Sequence, residues 1–275
     1  MDFVKYQALG NDYLVVDPRL TGFEPTPEAV RLLCDRHFGV GADGVLLGPI
    51  GPCDPGAVQD PVRLRIFNSD GSECEKSGNG LRMFALYLTE HYRYPARFAL
   101  RTIAGTAPVG VLDPIAGVVE VGMGKARLTA VDEAFTAGGR ELRVTRVDVG
   151  NPHAVVPLAE ISPELARELG PAIGRHPSLP EGSNVQLVRV LGRGAIEIEI
   201  WERGAGYTLA SGSSGCAAAA AVRTLGLVGD TVEVRMPGGA IEIRIEDDEI
   251  TMTGTARPVA SGRFAPAFRA ALDGC

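Results

Sequence analysis

The chain has 275 residues, 45% of them hydrophobic, and a formal net charge of −7, enough apolar material for one large or two ordinary domains. It has no Lys/Arg block and its lysines are Lys5, Lys76 and Lys125 alone, which argues against a nucleic-acid binder. Five scattered cysteines (Cys34, Cys53, Cys74, Cys216, Cys275) form no CxxC pair and no Cys/His cluster, so no metal site is expected and the thiols read as reduced.

The opening "MDFVKYQALGNDYLVVD" lacks the basic start and apolar run of a signal peptide. The longest apolar stretch, around Cys216 to Val222, is too short to span a bilayer. A cytoplasmic protein with no membrane partner is expected.

In chain order, "TPEAVRLLCDRHF" predicts a helix, with Pro27 at a first helical position and a stripe through Val30, Leu33 and Cys34. Proline and glycine mark a loop between Leu47 and Val62. "VRLRIF" alternates apolar and polar residues as a strand does. "GNGLRMFALYLTEHY" predicts a second helix and "SPELARELG" a third. "AIEIEIW" alternates again, "SGCAAAAAVRTLGL" predicts a fourth helix, and "VEVRMPGGAIEIRIEDDEITMTG" two or three strands broken by Gly and Asp turns.

Four of these blocks occur twice. "GNDYLVV" from Gly10 answers "GNPHAVV" from Gly150. "RIFN" and then Ser77 answers "EIWE" and then Ser211, nine residues after the block in both cases (77 − 68 and 211 − 202). "RTIAGTA" from Arg101 answers "RMPGGAI" from Arg235, and "MGKARL" from Met123 answers "TGTARP" from Thr253. Order and spacing are nearly kept, so one fold of about 130 residues is present twice. The expected class is α+β: two pseudo-symmetric domains, each a curved, mostly antiparallel sheet around a central helix. The join is expected near residues 122 to 140.

Each copy places a serine and a glycine at the mouth of a helix, in "EKSGNGLR" and "LASGSSGC". Either alone reads as an ordinary N-cap with a permissive glycine beside it. Two at matched spacing read as a pair of anion-binding helix ends, because the first turn of a helix carries unpaired N–H groups and partial positive charge. Facing each other across a cleft, they would hold one anion with Ser77 and Ser211 on opposite sides of its neighbouring atom. Neither knot has the lysine and spacing of a nucleotide phosphate loop.

"ALGNDYLVVD", "RHFGVGADG", "FNSDGSECEKSGNGLR", "GNPHAVV", "SNVQL", "ERGAGYTLASGSSGCAAAAA" and the late "MPGG" and "MTG" together resemble the diaminopimelate epimerase family, in its order and along nearly the whole chain. The resemblance implies a domain of 1–122 plus 260–275, the last segment returning to the first domain, and a second domain of 123–259. It implies no cofactor or metal, a homodimer, and a small amino-acid substrate. The reaction it implies inverts an α-carbon: one thiol removes the α-proton from one face while a second protonates the other, and the helix ends hold the carboxylate.

The resemblance assigns Asn11 to the N-terminal substrate motif. It assigns Asn68, Asn151, Asn184 and Arg203 to the distal amino-acid end of the substrate. Gly78, Asn79, Gly212 and Ser213 match the donors to the α-carboxylate, and His153 and Glu202 the pair beside the reacting centre. Read alone, His153 would be a satisfied histidine at a strand end and Glu202 a surface ion pair.

Three positions depart from the family pattern. Ser77 and Ser211 stand where the family has its two catalytic cysteines, and Gly44 where it has a glutamine of the substrate site. The hydroxyl is a far weaker acid than the thiol, by roughly 7 pKa units or on the order of 10 kcal/mol, and a helix end returns at most ~2 kcal/mol. Three explanations compete: a natural variant in which His153, Glu202 or another group activates a serine; a family variant that binds an amino acid with altered or no epimerase activity; or an introduced Cys-to-Ser pair, disfavoured because flanking residues differ too. Cys74, three residues before Ser77, could reach the site; Cys216, inside its helix, reads as core.

Overall fold

The computed structural model describes residues 1–56 and 60–275. Their contacts divide into two units, Met1–Val121 with Gly254–Cys275, and Gly122–Thr253. The first unit opens with the antiparallel strands β1 (Phe3–Ala8) and β2 (Asn11–Val16), turned through Leu9 and Gly10, both at positive φ. A short helix α1 (Pro18–Thr21) and the longer α2 (Pro27–Cys34) lead to β3 (Gly44–Ile50), which lies parallel to β2. β4 (Val62–Asn68) pairs antiparallel with β3 and with the two-residue β5 (Glu73–Cys74). Helix α3 (Gly78–Tyr92) follows, and then the meander β6 (Arg97–Thr102), β7 (Gly105–Asp113) and β8 (Val118–Lys125), with β6 parallel to β4.

The second unit repeats this plan. Strands β9 (Arg127–Ala137) and β10 (Arg140–Asp148) pair antiparallel, β10 continues into β11 (Pro152–Pro157), and α4 (Pro163–Gly174) crosses to β12 (Asn184–Gly192), parallel to β11. β13 (Ala195–Glu202) and β14 (Gly206–Thr208) form the tight return, α5 (Gly212–Thr224) is the central helix, and β15 (Thr231–Met236), β16 (Gly239–Glu246) and β17 (Glu249–Thr255) close the meander, with β15 parallel to β13. β18 (Arg257–Gly262) and α6 (Pro266–Asp273) belong to the first unit. β18 pairs with β1 over its whole length, which puts the return at Gly254 instead of residue 260.

The register shows the duplication residue by residue. Tyr13 lies opposite Gly44 on β2 and β3, and His153 opposite Asn184 on β11 and β12. Each central helix packs on strands of its own unit: α3 on β1, β2 and β7, and α5 on β10 through β13 and on β15 and β16. α3 is buried from Gly78 to Leu88. α5 is buried almost throughout, and its run Ala217 to Ala221 lets the strands approach closely.

The predicted helices of 26–38, 78–92, 162–170 and 214–227 all form, the second with the expected bounds and the others with shifted ends. α2 stops at Cys34, where Asp35 turns extended and its N–H bonds the carbonyls of Arg31 and Leu32. The expected loop after Leu47 begins later, since β3 runs to Ile50; residues 57–59 of that loop lie outside the described residues. Phe264 and Leu272 join the core of α2, β2 and β3, so the C-terminal helix is anchored by apolar packing.

Candidate active site

In the second unit, the ten residues from Glu202 to Ser211 fold back on themselves. β14 pairs with β13, opposing Gly206 to Glu202, and the chain then reaches the mouth of α5. Ser211 is the N-cap: its Oγ accepts from the N–H of Ser214 at 3.5 Å and lies 3.4 Å from the Oγ of Ser213. The Ser211 hydroxyl also bonds the Glu202 carboxylate. Burial pushes the Glu202 carboxyl above the usual carboxylate range, and the Ser211 bond opposes that rise. Glu202 is therefore no surface ion pair; it is a half-buried carboxylate on a serine hydroxyl. Gly212 and Ser213 occupy the first turn of α5, whose leading N–H groups precede those capped by Ser211.

Beside this pair runs a column of amides and an imidazole. His153 is 2% exposed, and its Nε2 lies 2.8 Å from Oδ1 of Asn151. Burial lowers the ring to about 4, opposed in part by Gln186 and Asp148 and reinforced by the Arg203 charge, so it is neutral at physiological pH. Asn184, opposite His153, stitches three strands: its Nδ2 donates to the Pro152 carbonyl at 3.0 Å and its Oδ1 accepts from the Arg203 N–H at 2.9 Å. Arg203 is exposed, with Nη1 on the Glu181 carbonyl at 2.9 Å. The second unit thus gathers Asn151, His153, Asn184, Glu202, Arg203 and Ser211 on adjoining strand ends and one helix mouth.

In the first unit, Ser77 caps α3 tightly, its Oγ accepting from the N–H of Gly80 at 3.0 Å. A Cβ on Gly80 would come within 3.2 Å of the Ser77 Cβ and 2.9 Å of the Leu46 side chain, so glycine permits this close seat. Among the described residues no carboxylate, imidazole or amine hydrogen-bonds the Ser77 hydroxyl. Gly78 and Asn79 form the first turn. The Asn79 amide is a bridge: Nδ2 donates to Asn11 Oδ1 at 3.1 Å, and Oδ1 accepts from the buried Arg82 at 2.7 Å. Asn11 in turn donates to Asp43 at 2.9 Å. Asp43 and Asp12 share Arg36, and Lys5 adds an ion pair to Asp12. Burial raises Asp12, but bonds from Arg36 and Lys5 outweigh it and hold its carboxyl well below the usual range.

Asn68 stands apart from this chain, donating to Ser72 Oγ at 3.0 Å. Cys74 bonds the Lys76 carbonyl at 3.3 Å, and Cys216 is fully buried in α5 as core. Gly44 leaves no room for a side chain: a Cβ there would meet the Phe67 carbonyl at 2.3 Å and the Tyr13 ring at 2.5 Å. A side chain at this position is thus incompatible with how closely Tyr13 packs on β3. Asp43, Gln186 and Ser214 were not singled out from the sequence. Gln186 lies inside the quoted "SNVQL", but an amide in a strand carries no signal until its partners are seen.

The diaminopimelate epimerase family model matches residues 3–129 and 145–259. The chain belongs to the diaminopimelate epimerase family. Curated relatives agree along nearly the full length. Diaminopimelate epimerase 2 of Nostoc sp. (strain PCC 7120) is 44% identical, covering 96% of this chain and 95% of that protein. A diaminopimelate epimerase of Synechococcus sp. (strain JA-3-3Ab) is 39% identical, covering 96% and 98%. Among solved structures, a predicted epimerase from Pseudomonas aeruginosa superposes with a TM-score of 0.71 at 19% identity, covering 95% of this chain and 98% of that one. A hydroxyproline epimerase from Agrobacterium vitis superposes with a TM-score of 0.70 at 17% identity, covering 94% and 90%. At those identities the structures establish the shared fold of the diaminopimelate epimerase family and its racemase neighbours, and the fold class is as the sequence implied. No helix among the described residues is long and apolar enough to cross a membrane.

Proposed function

We propose that the chain is an amino-acid epimerase working without an organic cofactor or metal, and that its substrate is diaminopimelate, interconverted between LL and meso forms for lysine and peptidoglycan precursors. We place it in the cytoplasm as a homodimer. The observation that carries the reading is the carboxylate of Glu202 on the hydroxyl of Ser211 at the mouth of a buried helix.

A serine hydroxyl alone is a poor proton-abstracting group, short of a thiol by on the order of 10 kcal/mol. A carboxylate in hydrogen-bond contact changes this: as Ser211 Oγ takes the α-proton, its own proton passes to Glu202, and no free alkoxide forms. Burial raises the basicity of that carboxylate, which improves the match. The first-turn N–H groups of α3 (Gly78, Asn79) and α5 (Gly212, Ser213) are the donors we assign to the substrate α-carboxylate, where charge builds as the proton leaves. Ser77 is assigned the opposite face, where its hydroxyl proton passes to the α-carbon and is replaced from water as Glu202 returns its proton to solvent. Asn11, Asn68, Asn151, Asn184 and Arg203 are assigned to binding, with the distal amino-acid end on the last four.

The test is isotope exchange in deuterated water, run with LL- and meso-diaminopimelate and a panel of other amino acids. The expected result is deuterium incorporation at the α-carbon of diaminopimelate, with inversion. Calorimetric binding without exchange on any amino acid would overturn it.

A further inference from the structure

Among the buried polar atoms of the second unit that stand without a hydrogen-bond partner, two are neighbours: His153 Nδ1 and Gln186 Oε1. Both side chains are buried, Gln186 completely. They are diagonal neighbours on one face of the parallel pair β11 and β12, since Asn184 lies opposite His153 and Gln186 is two residues further on. The far end of each is occupied. His153 Nε2 lies against Asn151 Oδ1 at 2.8 Å, and Gln186 Nε2 donates to Ser214 Oγ at 3.0 Å. Ser214 belongs to the first turn of α5, where its N–H is capped by Ser211.

With the ring proton on Nε2, that nitrogen donates to Asn151. The bare Nδ1 and the Gln186 oxygen are then two acceptors with no donor for either. Moving the proton to Nδ1 removes both defects at once. Nδ1–H donates to Gln186 Oε1, and a half-turn of the Asn151 amide, which exchanges its oxygen and nitrogen, lets Nδ2 donate to the Nε2 lone pair. The Gln186–Ser214 bond is unchanged.

The first unit supplies an internal control. The positions equivalent to His153, Gln186 and Ser214 are Tyr13, Leu46 and Gly80, by the matched registers and the matched distance from the capping serine. There the Leu46 side chain fills the space against Gly80. The duplicated scaffold therefore closes this gap with a leucine, and the polar column in the second unit is not needed to build the fold.

We propose that Gln186 is a positioning residue that holds His153 as its Nδ1–H tautomer, so that the ring presents a lone pair at Nε2, and that Ser214 ties the Gln186 amide to the mouth of α5. The burial that keeps the ring neutral makes the choice of tautomer decisive. The Nε2 lone pair accepts from the Asn151 amide, which fixes that amide with Nδ2 toward the ring and leaves its Oδ1 as an acceptor. The kinetic consequence rests on the epimerase reading; the tautomer is a property of the free protein.

The test is nitrogen NMR of the full chain labelled with 15N-histidine at neutral pH, with His153 assigned by the signal lost in His153→Gln. The expected result is a proton on Nδ1 and none on Nε2; a proton on Nε2 overturns the proposal. In Gln186→Met the proton is expected to move to Nε2, whereas Gln186→Glu, which keeps an acceptor oxygen, should retain Nδ1–H. An unchanged tautomer in folded Gln186→Met removes Gln186 from the role. Should that variant not fold, a proton on Nε2 in Gln186→Glu has the same meaning. Under the epimerase reading Gln186→Met also lowers kcat by about 10–100-fold, the usual loss on removing a supporting partner, with little change in KM. The Nδ1–H tautomer in a chain that exchanges no amino acid would leave this inference standing and overturn the epimerase reading instead.

Discussion

The two helix mouths share a scaffold and differ in chemistry. "RIFN" and "EIWE" occupy equivalent strand ends, so Asn68 in the first unit stands where Glu202 stands in the second. Glu202 bonds the capping serine of its unit, whereas Asn68 turns to Ser72. Behind Ser77 lies an amide chain, Asp43–Asn11–Asn79–Arg82, and behind Ser211 lies a carboxylate with a neutral histidine column beside it. Duplication preserved register, cap and helix, because these set the fold. It did not preserve the carboxylate beside the cap, which depends on single side chains free to change within an intact strand.

The sharpest way to break this comparison is Glu202→Gln, which keeps shape and removes the base. The expected loss in kcat is about 10²–10⁴-fold, the usual contribution of a positioned acid–base group. Wild-type activity should rise with pH through the titration of Glu202, whose burial sets that limb above the ordinary carboxylate range; Glu202→Gln should lack the limb. A variant within twofold of wild type would remove Glu202 from the chemistry.

Restoring thiols one at a time comes next. Ser77→Cys should raise kcat by about 10²-fold or more, since no base among the described residues bonds that serine and the thiol is the stronger acid by roughly 7 pKa units. Ser211→Cys should gain less, because Glu202 already serves that hydroxyl. Steady-state rates of both variants check this, and an equal gain would mean that the asymmetry has no functional weight.

The smallest effect expected is on stability. Ser77→Ala removes a 3.0 Å cap and should cost about 1 kcal/mol, while the 3.5 Å cap of Ser211 should cost about 0.5 kcal/mol. Denaturant melts of the two variants measure the difference; the reverse order would contradict the geometry.

Strands with one wet face were legible in the sequence, as in "VRLRIF", where Val62, Leu64 and Ile66 are buried and Arg63 exposed. β3 was not, because it is buried on nearly every residue and so has no alternation to read. β18 was missed for the opposite reason: five of its six residues are exposed, and only its pairing with β1 makes it a strand. The serines, asparagines and Glu202 were named through the repeat and the family motifs. That Glu202 serves Ser211 required the fold-back of β14, and that Gln186 addresses His153 required a parallel register joining residues far apart in the chain. Side-chain partnerships of this kind depend on register, which composition does not carry.

The most direct test of the account is the α-proton exchange of diaminopimelate in deuterated water, followed for wild type, Ser77→Ala and Ser211→Ala with each stereoisomer resolved. The account predicts exchange with inversion in wild type, and no inversion in either alanine variant. Inversion at the wild-type rate in both variants would show that the serines do not carry the protons, and would contradict the account.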